Sequence, residues 1–97
     1  MANIWELIVN SYSANPRDVL TSGGKVYFYV YVEQGKVFLE SGRNHANKSK
    51  ITGRRQLDES NLTTIYNEYK SGAKPSDLQN ITFNSVYWFG IFKDLNL

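Results

Sequence analysis

The chain has 97 residues, 41% of them hydrophobic and 21% charged, with a net charge of +2, no cysteine and one histidine. That length supports one domain, residues 1–97, around a single core. The missing cysteines exclude disulfides, thiolate metal sites and thiol nucleophiles, and a lone histidine argues against a conventional zinc site. No apolar run approaches the roughly 20 residues that a membrane span needs, and the N-terminal residues lack the pattern of a signal peptide. The expectation is a cytoplasmic domain with no cofactor, no metal and no membrane partner. Sequons at Asn47, Asn61 and Asn80 are then read as chance.

Ile4 to Asn10 is rich in β-branched and aromatic residues, which predicts a first strand. Trp5, Ile8, Val9 and Tyr12 would also form a helical stripe, so the segment carries both periods. Ser13 to Gly24 is polar, with Pro16 and a Gly23-Gly24 pair. Asn15 could cap a single helical turn there, with Pro16 in first position.

Lys25 to Gly42 is the clearest unit. Val26, Phe28, Val30 and Val32 alternate with Lys25, Tyr27, Tyr29 and Tyr31, the period of a strand. A two-residue turn at Gln34-Gly35 closes a hairpin, because glycine supplies the positive φ such turns require. That register pairs Val32 with Val37 and Val30 with Leu39 on one face, and Tyr31 with Phe38 on the other. A one-residue slip would mix the two faces, so the side-chain chemistry supports the register.

The segment from Arg43 to Arg55 has no period and reads as a loop. A helix then starts near Asp58 as N-cap, with Glu59 in its first turn and Leu57 stapled to Leu62. Its core stripe is Leu62, Ile65, Tyr66 and Tyr69, and Gly72 and Pro75 end it. Ala73 to Asn80 connects. Ile81-Thr82-Phe83 looks strand-like, but Trp88, Ile91, Phe92 and Leu95 take helical spacing behind Asn84-Ser85. A second helix is expected, with Gly90 allowing close approach to a neighbour. The fold class that follows is α+β: a small antiparallel sheet built around the central hairpin, with one or two helices packed on it.

Two features bear on function. Arg43, His45, Lys48, Lys50, Arg54 and Arg55 fall in one stretch that contains no acidic residue. The loop leaves the hairpin beside Tyr27, which Gly42 faces across the register. The Tyr27, Tyr29, Tyr31 and Phe38 face is either covered by a helix through its ring bodies or left open as a platform.

Charge for phosphate and rings for bases are what single-stranded nucleic acids need. The first reading is therefore a small domain that binds single-stranded RNA or DNA. Arg43, His45, Lys48, Lys50, Arg54 and Arg55 would meet phosphates, and Tyr27, Tyr29 and Phe38 would stack on bases. The alternative is a protein-interaction module or small inhibitor, self-association included, because Tyr, Phe and Arg also dominate interface hot spots. A third reading is a metal-independent ribonuclease with Glu40 or His45 as base, although the spacing assigns no catalytic residue. Thr21-Ser22-Gly23-Gly24-Lys25 lacks the first glycine of a phosphate loop and precedes a strand, so it carries no weight.

Overall fold

The computed structural model describes residues 3–78 and 84–97. The fold is α+β: among the described residues, a four-stranded antiparallel sheet in sequential order with three α-helices. The elements are α1 (Ile4–Ala14), β1 (Arg17–Leu20), β2 (Tyr27–Glu33), β3 (Lys36–Ser41), β4 (Arg55–Leu57), α2 (Leu62–Lys70) and α3 (Ser85–Asp94), with a 3₁₀ turn at Pro75–Leu78 before α3.

The central hairpin has the expected register. Val32 pairs with Val37, Val30 with Leu39 and Tyr31 with Phe38. Gln34 and Gly35 both take positive φ, 54° and 74°, which gives a turn whose twist matches the strands it joins. Its apolar face turns inward. Phe28, Val30, Val37 and Leu39 join Val19 of β1 and Leu57 of β4 in one buried layer. Ile8 and Tyr12 of α1, Leu62 and Ile65 of α2, and Trp88, Phe89, Ile91 and Phe92 of α3 close over that layer.

Four local expectations are corrected. Ile4 to Asn10 is not a strand but most of α1. Asn3 accepts the Glu6 N–H at 2.7 Å, and burial of Ile8 and Tyr12 one turn apart selects the helical period over β propensity. Asn15 ends α1 instead of starting a turn, and the residues after Pro16 form edge strand β1, paired with β2 from Arg17↔Val30 to Leu20↔Tyr27. The middle helix begins later than Asp58. The Asp58 carboxylate takes the Ser60 N–H at 3.0 Å in a local turn, and Asn61 at φ 62° leads into α2. Arg55 belongs to β4, not to the loop. The strand-like Ile81-Thr82-Phe83 lies outside the described residues.

The C-terminal helix is as expected, and Gly90 explains its closeness to the sheet. A Cβ there would run into the Leu20 carbonyl oxygen and lie 3.2 Å from Phe28. Tyr12 ties the layers together. Its buried hydroxyl donates to Asp94 at 2.7 Å, and Arg17 bonds the same carboxylate at 2.5 Å. Burial, then the Asp94 contact, pushes the Tyr12 hydroxyl well above the ordinary tyrosine range. No helix of the described residues is long and apolar enough to cross a membrane.

Candidate functional site

The other face of the sheet carries Tyr27, Tyr29 and Tyr31 of β2 with Phe38 and Glu40 of β3, because side chains alternate along a strand. Among the described residues no helix lies on it. Three of the rings form a row: Tyr29 and Tyr31 have centroids 5.9 Å apart, and Tyr31 stacks on Phe38 at 5.5 Å. Phe38 is only 8% exposed. What covers the rings is the basic loop itself.

After Ser41 the chain breaks away at Gly42, where a Cβ would sit 2.9 Å from the Tyr27 carbonyl oxygen. Asp18 of β1 then catches the loop. Its carboxylate accepts the Arg43 N–H at 2.9 Å and the Asn44 N–H at 2.7 Å, and pairs with His45 Nδ1 at 2.8 Å. Further on, Asn47 accepts the Tyr27 N–H and Ser49 donates to the Tyr27 carbonyl, both at 2.8 Å. The segment thus folds back beside the hairpin end, and Ile51 is buried in the core.

This path lays two guanidinium groups and one imidazole on the rings. The His45 imidazole lies on Tyr27 with centroids 3.5 Å apart and planes 5° from parallel. The Arg43 guanidinium sits 4.1 Å from the centre of Tyr29, and that of Arg54 sits 4.1 Å from Phe38. Each has its own carboxylate. Arg43 bonds Glu40 through Nη2 at 2.6 Å and Nε at 3.1 Å, Arg54 reaches Glu33 at 3.2 Å, and His45 has Asp18. The hydrogen bond to Glu40 raises the Arg43 pKa, and that to the Tyr31 hydroxyl raises the Arg54 pKa.

Asp18 is the least exposed of these acids, its side chain 2% accessible. Burial alone would push its carboxyl upward. The hydrogen bonds from Arg43, His45 and Asn44 outweigh that and hold it below its usual value.

Of the sequence-predicted site residues, Arg43, His45, Arg54, Tyr27, Tyr29 and Phe38 come together on this face. Lys48 and Lys50 are exposed in the loop, Lys48 bridging Tyr27 through the backbone. Arg55 goes elsewhere. Opposite Leu39 in the register, it turns to the helix side and bonds Asn84 at 3.3 Å. Sequence reasoning missed Asp18, Glu33 and the clamp of Glu40 on Arg43. Only the β1 register, which sets Asp18 opposite Tyr29, could have signalled Asp18.

A separate groove on the helix side is lined by Ser22, Tyr69, Lys74, Phe89 and Lys93 among others. Among the described residues no three acidic or histidine side chains gather as a metal site. No protein-family model, curated protein or solved structure matches the chain.

Proposed function

We propose that the aromatic sheet face binds single-stranded RNA or DNA, with bases stacking on its rings and Arg43, Arg54 and the loop lysines meeting phosphates. The observation that carries this reading is the pairing of each cation with a ring on a face that no described helix covers. Magnitudes favour exchange. A base stacked on an aromatic side chain is worth about 1–3 kcal/mol, and an exposed cation–π contact about 0.5–1 kcal/mol. A base can therefore displace a guanidinium from its ring, and the freed arginine gains a phosphate. Glu33 and Glu40 oppose this by repelling phosphate, which points to modest affinity at physiological salt.

Those same carboxylates favour a second reading. With every cation on the rings neutralised by its own acid, the face also suits a protein partner or a second copy of the chain, where tyrosine and arginine act as anchors. Fluorescence anisotropy with labelled single and double strands across a salt series separates the two. Nucleic-acid binding should weaken by about 0.7 log units per log unit of salt for each phosphate contact on a single strand. Absence of binding at low salt, with dimers seen by sedimentation, would favour the protein interface.

A further inference from the structure

We propose that Asp18 and His45 form a proton-transfer dyad, in which His45 Nε2 is the general base that cleaves single-stranded RNA held on the aromatic face. This activity rests on the nucleic-acid reading above. A histidine in a surface loop ordinarily keeps its ring rotations. Here both are fixed: Asp18 holds Nδ1 at 2.8 Å, and Tyr27 holds the ring plane at 3.5 Å and 5°. The ring nevertheless stays accessible, at 44% side-chain exposure.

The partner decides the tautomer. An ionised Asp18 only accepts, so Nδ1 carries the proton and the neutral imidazole keeps its lone pair on Nε2. Nε2 has no hydrogen-bond partner among the described residues. A nearly inaccessible carboxylate that orients a partly exposed imidazole, leaving its far nitrogen without a hydrogen-bond partner, is how a general base is prepared. Anchoring the loop does not require it. The Arg43 and Asn44 N–H groups on Asp18, and the Tyr27 backbone bonds to Asn47 and Ser49, already do that.

The step balances without a redox partner. His45 Nε2 takes the proton of a ribose 2′-hydroxyl, and the 2′-oxygen forms a bond to the adjacent phosphorus. The bond from phosphorus to the 5′-oxygen breaks, and that oxygen takes a proton from water. The imidazolium returns its proton to the hydroxide so formed, leaving a 2′,3′-cyclic phosphate and a 5′-hydroxyl. Arg43, on the ring next to Tyr27 along β2, supplies positive charge to the pentacoordinate phosphorus. His45 is the catalytic residue and Asp18 a positioning residue. A strand of DNA lacks the 2′-hydroxyl and would be bound but not cut.

The test uses a fluorescein-labelled oligouridylate of about ten nucleotides, within the span such sites cover, and its all-deoxy counterpart to read binding without cleavage. Wild-type protein, His45→Ala and Asp18→Asn are purified alike. The expected result is a cyclic-phosphate product whose rate falls about 100-fold or more in His45→Ala, the scale of a general base, with deoxy-strand affinity within a few-fold. Asp18→Asn should slow cleavage more than it weakens binding, whereas a merely structural Asp18 would lower both together. His45→Ala keeps Asp18 on the Arg43 and Asn44 N–H groups, so it remains informative if Asp18→Asn disturbs the loop. Binding without cleavage, or cleavage equal in His45→Ala, overturns the dyad and leaves the binding reading standing. Failure to bind either strand overturns both.

Discussion

The imidazole of His45 lies flat on Tyr27 while its Nδ1 meets Asp18 on the neighbouring strand, at 3.5 Å between ring centroids and 2.8 Å between heavy atoms. One side chain thus joins an aromatic row on β2 to an acid on β1. The same Asp18 carboxylate takes the Arg43 and Asn44 N–H groups and so holds the start of the basic loop over the sheet. Stability and the state of the candidate surface are therefore coupled at Asp18.

Replacing Asp18 should cost more than replacing His45. Asp18→Ala removes a carboxylate that serves three donors, and hydrogen bonds to a charged group are individually strong. Both backbone donors border water and can rehydrate, which limits the loss to about 2 kcal/mol. His45→Ala forfeits one ring stack and one hydrogen bond, about 1 kcal/mol. Urea denaturation of both variants, compared at equal m-value, gives the order.

Acid should loosen the loop before it unfolds the core. The Asp18 carboxyl is held below its ordinary value of 3.8 in the folded state. A depressed folded pKa means that the unfolded chain binds the proton first as pH falls. The stabilisation is complete above the unfolded value and disappears as pH drops below about 4 through the folded one. An acid titration followed by NMR should show the Arg43 and Asn44 amide signals moving in that window. In Asp18→Asn this movement should be absent.

Glycine substitutions should split by environment. Gly90→Ala gains about 1 kcal/mol of helix propensity, but its Cβ would meet the Leu20 carbonyl, a backbone atom that cannot move aside cheaply. Overpacking of this kind costs about 1–3 kcal/mol, so the variant should be less stable. Gly23→Ala meets nothing within 4 Å and should be neutral or slightly stabilising. Thermal unfolding of the pair measures both.

Binding should follow the faces and not the sequence positions. Tyr29→Ala removes one stacking surface and should weaken single-strand affinity by about 1–3 kcal/mol. Arg43→Ala should lower the salt slope by roughly one contact. Arg55→Ala, on the helix side beside Asn84, should leave affinity unchanged. Anisotropy titrations of the three variants at two salt concentrations decide it.

The hairpin was legible because both of its faces have their own chemistry: valine and leucine on one, tyrosine and phenylalanine on the other. A register error would have been visible in the residues themselves. The first segment was not, since Ile4 to Asn10 satisfies two periods and only the burial of Ile8 and Tyr12 against the sheet separates them. Arg54 and Arg55 are equal in sequence, yet the start of β4 sends the first to Phe38 and the second to Asn84. Long-range partners leave no local mark. Two of the carboxylates that hold the basic loop, Asp18 and Glu33, come from such distances, 27 residues before His45 and 21 before Arg54.

The central claim is that the aromatic face, and not the helix-side groove, is where a single strand binds. The most direct measurement is amide and side-chain NMR of the labelled protein titrated with an oligodeoxynucleotide, which cannot be cleaved through a 2′-hydroxyl. The account predicts shifts concentrated at Tyr29, Tyr31, Phe38, Arg43 and Arg54, with the His45 ring keeping its stack on Tyr27. Shifts centred on Ser22, Tyr69, Lys74 and Lys93, with the aromatic face unchanged, would contradict it.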